Sequence, residues 1–104
     1  MKHKVSFRPQ AEDDLFELYH YIAEDSGLAV AGGYIERIEA ACLALETFPL
    51  RGRARDDIRP GLRTLAFERH AVIAYQILAR EVVIVRIFYG GLDYGRKLLA
   101  QLPD

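Results

Sequence analysis

Apolar residues return along this chain in two rhythms, first with helical spacing and then with the spacing of strands. Ala11, Leu15, Leu18, Tyr19 and Ile22 recur every three or four residues and predict a helix over about 9–25. Pro9 fits its first turn, where a missing N–H costs nothing, and Glu12, Asp13 and Asp14 suit the positive end of the helix dipole. Ser26-Gly27 supplies the stop, with Gly27 able to take a left-handed conformation. A second helix is predicted over about 28–47 from Ala31, Tyr34, Ile35, Ile38, Cys42 and Leu45. Gly32-Gly33 weakens it by about 1 kcal/mol per glycine, unless the pair lets the helices approach closely. So short a connection makes the two helices antiparallel neighbours.

Beyond Phe48-Pro49 the rhythm changes. Residues 50–61 form a basic loop ending in Pro60-Gly61, and β-like runs follow at 62–67, 71–78 and 81–89. The joints around Glu68-Arg69-His70 and Ala79-Arg80-Glu81 are too short for parallel crossovers, so these strands are antiparallel. The third run is apolar on both faces, with Val82, Ile84 and Phe88 against Val83, Val85 and Ile87. That places it centrally, with a short β-like run at His3–Phe7 as a candidate for its other flank. Gly90-Gly91 breaks it, and Asp93 can cap a short C-terminal helix carrying Leu98, Leu99 and Leu102. The expected fold is a single α+β domain over residues 1–104: a short N-terminal strand, an antiparallel helical hairpin on an antiparallel β-sheet in the order β-α-α-β-β-β, and a short C-terminal helix.

Composition narrows this picture little. A chain of 104 residues that is 51% hydrophobic and 28% charged is globular rather than disordered. One cysteine, Cys42, permits no disulfide within the chain and no thiolate zinc cluster, and His3 and His20 are far apart in sequence; no metal or cofactor is expected. Met1-Lys2-His3-Lys4 is followed by Val5, Ser6, Phe7 and charged sequence, unlike a secretory signal, and no run approaches a membrane span. A cytoplasmic location without membrane contact is the expectation.

Charge changes the picture more. The net charge of −1 hides a segregation: from Arg8 to Thr47 there are nine acids and two bases, and from Arg51 to Lys97 ten bases and five acids. The charges either solvate outer faces or give the second half a basic surface for an anionic partner.

Several local patterns now stand together: Pro9-x-Ala11-x-x-Asp14-Leu15, Phe48-Pro49 followed by Arg51-Gly52-Arg53, Gly61-Leu62-Arg63, His70-Ala71-Val72-Ile73-Ala74-Tyr75, and Val83-Ile84-Val85-Arg86-Ile87. Over almost the whole length the chain resembles the ParE/RelE superfamily of toxins from bacterial type II toxin–antitoxin systems, and most of all its ParE (plasmid stabilisation) branch. In that branch a similar last strand usually continues into His-x-x-Arg-Asp, whereas here the continuation is Tyr89-Gly90-Gly91-Leu92-Asp93. The resemblance implies a toxin neutralised by a cognate antitoxin and touching DNA only through it. ParE-like members are associated with inhibition of DNA gyrase, and RelE-like members with cleavage of mRNA on the ribosome. A degenerate toxin that keeps only antitoxin binding is a further alternative.

Metal-free RNA cleavage needs a base for the 2′-hydroxyl, an acid for the leaving oxygen and cations around the phosphate. Arg51, Arg53, Arg55, Arg63 and Arg86 supply forked cations, but arginine is a poor proton donor or acceptor. RelE-like nucleases use lysines in this loop and an arginine after the last strand, where Gly91-Leu92 stands here. If the chain is a nuclease, the candidates are Arg63 and Arg86 for phosphate, with Tyr89, Tyr94, His70 or Glu68 for proton transfer. Each also has an ordinary reading: Arg63 and Arg86 pairing with Glu68 or Asp93, Tyr89 packing at a strand end, His70 on the surface. For a binding toxin, Arg63, Arg86, Tyr89, Arg96 and Lys97 form the expected target surface. Phe16 and Tyr19 with Arg51, Arg53 and Arg55 are then the expected antitoxin contacts, since aromatic and arginine side chains dominate such interfaces. Phe16 lies off the main apolar face and should be exposed, whereas Tyr34 suits the core.

Overall fold

The computed structural model describes residues 3–90. Strand β1 (Lys4–Phe7) leads into helix α1 (Pro9–Ser26), which turns at Gly27 into helix α2 (Leu28–Leu43). Strands β2 (Arg53–Ala54), β3 (Leu62–Phe67), β4 (Ala71–Leu78) and β5 (Glu81–Tyr89) follow, and the sheet order is β1-β5-β4-β3-β2. The expected C-terminal helix, with Arg96 and Lys97, lies outside the described residues.

Pro9 opens α1 as its missing N–H allows, and the Arg8 carbonyl accepts from the Ala11 and Glu12 amides. Gly27 alone joins the helices. Its φ of +95° suits glycine, its N–H closes α1 on the Ala23 carbonyl, and its carbonyl accepts from Ala31. The two helical stripes predicted from spacing become the buried faces: Ala11, Leu15, Leu18 and Ile22 on α1, and Ala31, Tyr34, Ile38 and Cys42 on α2.

The structure differs from the expectation in four places. α2 stops at Leu43, and Ala44–Glu46 tightens into a 3₁₀ turn. There the Thr47 and Phe48 amides both return to the Ala44 carbonyl, ending the helix before Pro49. Gly32 and Gly33 do not mark a close helix contact: a Cβ at Gly32 would meet nothing within 4 Å, and one at Gly33 only Arg37 at 3.5 Å. The basic loop contains the two-residue strand β2, antiparallel to β3. The meander is antiparallel throughout, but β1 flanks β5 in parallel, from Lys4 opposite Glu81 to Phe7 opposite Ile84. The chain leaves β1 through the hairpin, re-enters the sheet at β2 and reaches β5 last, a connection long enough for a parallel pair.

β5 is central and buried on both faces, as its sequence predicts. A bulge changes its alternation: Tyr75 pairs with Ile84 but Ala74 with Arg86, leaving Val85 as the extra residue. Val82, Ile84 and Ile87 therefore all join the main core with Ala71, Ile73, Tyr75 and the hairpin's apolar face. Leu62, Ala74 and Phe88 form a second cluster, against which Ile58 packs.

Candidate functional site

The sequence motifs meet in pairs. The first junction joins the start of α1 to the end of β5. Because β1 pairs only as far as Ile84, no strand among the described residues covers the outer edge of β5 beyond it, and Asp14 of α1 reaches that edge. Asp14 accepts from Arg86 Nε at 2.8 Å, from Arg86 Nη2 at 2.9 Å and from the Ile87 backbone N–H at 2.8 Å. The pair is largely out of solvent, with side chains 15% and 12% exposed, and the guanidinium lies 5.2 Å from the Phe88 ring centre. Arg86 is thus largely buried, and its carboxylate partner among the described residues is Asp14 rather than the Glu68 considered from sequence.

At the second junction the segment after α2 is fastened to β3 and β4. Arg63 and Tyr75 are cross-strand neighbours. The buried Tyr75 hydroxyl donates to the Pro49 carbonyl at 2.7 Å and accepts from the Gly52 N–H at 2.8 Å. Arg63 Nη1 donates to the carbonyls of Leu50 and Gly52. Gly52 is tight: a Cβ there would lie 2.6 Å from the Tyr75 hydroxyl and 2.9 Å from the Thr64 carbonyl oxygen. Burial pushes the Tyr75 phenol above its ordinary pKa, so the hydroxyl stays protonated to donate. Arg63 is therefore half-buried and occupied, contrary to its expected role as a free phosphate-binding cation.

A third cluster is aromatic. Tyr89 is half-buried, with ring centres of Tyr21, Tyr34 and His70 at 5.7, 5.9 and 6.0 Å. A cleft of about 400 Å³ opens beside it, lined by Asp14, Glu17, Leu18, Tyr21 and Ile87. His70 is exposed. Glu68, a candidate base, is held at the β3–β4 turn by Arg37, with N–O distances of 2.8 and 3.0 Å. That guanidinium holds the Glu68 carboxyl below the usual carboxylate range, which weakens it as a base near neutrality. Both Glu68 and Arg69 are left-handed, with φ of 43° and 71°, so the contact also steadies a strained turn.

The expected antitoxin contacts divide. Phe16 is 66% exposed, as its position off the apolar stripe predicts, and stacks edge-on to His20 at 4.5 Å. Tyr19 is half-buried against the core, and Tyr34 is buried as expected. Arg51 and Arg53 are exposed, whereas Arg55 is tied to Asp57 at 3.0 and 3.1 Å. Sequence reasoning missed Asp14, Tyr75 and Gly52 as linchpins, although each stands inside a motif it had singled out. It also passed over Phe48 and Leu50, which are 63% and 68% exposed beside an apolar hollow of about 660 Å³.

Among the described residues, no group of three or more His, Cys, Asp or Glu is placed to hold a metal ion, and no helix is long and apolar enough to cross a membrane. Cys42 is buried, and burial pushes its thiol up to about 12, far from the thiolate a nucleophile requires. The described residues thus present two fastened junctions, an aromatic cleft, and an apolar hollow with Arg51 in its lining.

A helical hairpin beside a mixed sheet of this order defines a class of small α+β folds. Two solved structures share it: the chromosomal ParDE toxin–antitoxin system from P. aeruginosa (TM-score 0.74, 24% identity, 85% of this chain and 96% of that one) and the RelBE2 toxin–antitoxin complex from Mycobacterium tuberculosis (TM-score 0.60, 22% identity, 86% and 99%). At sequence level, residues 5–94 match the family model of the ParE toxin of type II toxin–antitoxin systems. Toxin ParE3 of Caulobacter vibrioides is 36% identical over 85 residues, which cover 82% of this chain and 84% of that relative. The chain belongs to the ParE toxin family.

Proposed function

We propose that this toxin acts by binding rather than by cutting: it inhibits DNA gyrase and is neutralised by a cognate antitoxin. The observation that carries the reading is the internal use of three groups a nuclease of this kind would need, Arg63, Arg86 and Glu68. Arg86 is held by Asp14, Arg63 by backbone carbonyls, and Glu68 by Arg37, so cations and base are not gathered around one phosphate position. β4 also lies between the strands that carry Arg63 and Arg86. The relatives' names, toxins of the ParE type and a ParDE system, support the same reading. In this scheme Tyr89, with Arg96 and Lys97 beyond it in sequence, faces the target, while Arg86 shapes that surface from within and Arg63 fastens the loop after α2. Phe16, Tyr19, Arg51 and Arg53 face the antitoxin.

The test is expression of the chain without its antitoxin, following DNA and transcripts together, with purified gyrase assayed in parallel. Growth arrest with a DNA-damage response, intact mRNA and inhibited supercoiling is the expected outcome. Codon-phased mRNA cuts would overturn it in favour of a ribosome-dependent endoribonuclease. Normal growth combined with tight antitoxin binding would mark a toxin that has lost its target.

A further inference from the structure

Between α2 and β2 the chain exposes large apolar side chains on backbone that is not free to move. Phe48 and Leu50 stand in solvent, although each would be favoured by about 1.5–3 kcal/mol if buried. The backbone beneath them is held by the Tyr75 hydroxyl at Pro49 and Gly52, by Arg63 at Leu50 and Gly52, and by the Arg51 N–H on the Phe48 carbonyl at 3.1 Å. Gly52 leaves no room for a side chain that would let the segment stand off from β4. Such fastening does not cover the two apolar side chains. It fixes their spacing, which removes part of the ordering cost of association.

The surroundings state the chemistry of the occupant. Thr47, Phe48, Pro49, Leu50 and Arg51 line the hollow of about 660 Å³, and none of them is acidic. Arg51 has no ion-pair partner among the described residues, and Arg53 is exposed two residues on. An apolar floor with cations at its rim fits a segment carrying a large apolar side chain flanked by carboxylates. A second copy of this chain also carries acids and an exposed Phe16 on α1, so self-association is the competing occupant that the test separates.

We infer that Thr47–Arg51 is a preformed socket for an acidic, apolar-anchored segment of the antitoxin, with Tyr75 and Arg63 as its positioning residues. This rests on the reading that an antitoxin neutralises the chain, and it adds a docking point away from the hairpin and from Tyr89.

The test uses the full chain and the full antitoxin encoded beside it, with affinity measured by calorimetry at two salt concentrations. Phe48→Ser combined with Leu50→Ser changes only exposed side chains and should weaken binding at least about thirtyfold, as loss of an interface anchor does. Arg51→Glu should cost about tenfold and flatten the salt dependence. Tyr75→Phe should weaken binding while the Gly52 amide exchanges faster with solvent. If the double serine variant binds within threefold of wild type, the socket is refuted even though the antitoxin reading stands. If wild type itself fails to bind, both fall. Sedimentation showing self-association that the double variant abolishes, with antitoxin affinity unchanged, would refute the inference and give the socket to a second copy.

Discussion

Tyr34 packs its ring in the core, edge-on to Phe67 at 5.5 Å and to Tyr89 at 5.9 Å, and its hydroxyl is buried without a hydrogen-bond partner among the described residues. A buried polar atom that makes no bond gives up its hydration for no return. Tyr34→Phe is therefore expected to leave the fold unchanged and raise stability by about 1 kcal/mol, as read from urea denaturation. A loss of that size would instead mean that the hydroxyl is satisfied. The sequence placed Tyr34 in the core from its position on the apolar stripe of α2, and placed Phe16 in solvent because it lies off that of α1. It could not show the partners of Asp14 or Tyr75, because Asp14 meets a residue 72 positions away and Tyr75 meets backbone atoms rather than a complementary side chain.

Between elements, the Asp14–Arg86 pair joins α1 to β5, and its energetics differ from those of a surface ion pair. Removing one partner leaves the other charge poorly hydrated, a cost of several kcal/mol when burial is complete. With side chains still 12–15% exposed, Asp14→Asn should lower stability by about 2 kcal/mol in chemical denaturation. A change below about 0.5 kcal/mol would show the pair behaving as a solvated one. Arg86→Ala, which reads from sequence as the loss of one exposed charge, should be destabilising for the same reason. A loss of toxicity in that variant does not by itself place Arg86 against the target. Most element boundaries were legible from periodicity and from Pro9, Gly27 and the meander's tight turns. The direction of β1 was not, because a short strand carries no mark of parallel or antiparallel pairing. The 3₁₀ turn and β2 were missed since a single helical turn and a two-residue strand leave no periodicity to read.

For the whole molecule, the segregation of charge read from sequence maps onto architecture: the acids concentrate on the hairpin and the bases on the loop and sheet. The stability of the assembled core should carry a signature at alkaline pH. Burial pushes the Tyr34 phenol up to about 12 from 10.0 and the Cys42 thiol up to about 12 from 9.0, and Tyr75 moves in the same direction. Each raised group holds its proton longer when folded than when unfolded. The stability it contributes is fully present below the unfolded pKa and is lost as pH rises through the folded one. Urea midpoints should be level from about pH 7 to 9 and fall steeply between about pH 9 and 12, less so in Tyr34→Phe. A profile that stays flat to pH 11 would contradict this.

The bond from the Ile87 N–H to Asp14 has a consequence for how these molecules behave in a crowd. An open strand edge is a template on which another copy of the same strand can grow, and a carboxylate anchored across it acts as a stopper. Asp14 thus removes one backbone route to self-propagating stacks and leaves recognition at this edge to side chains, which can tell one partner from another.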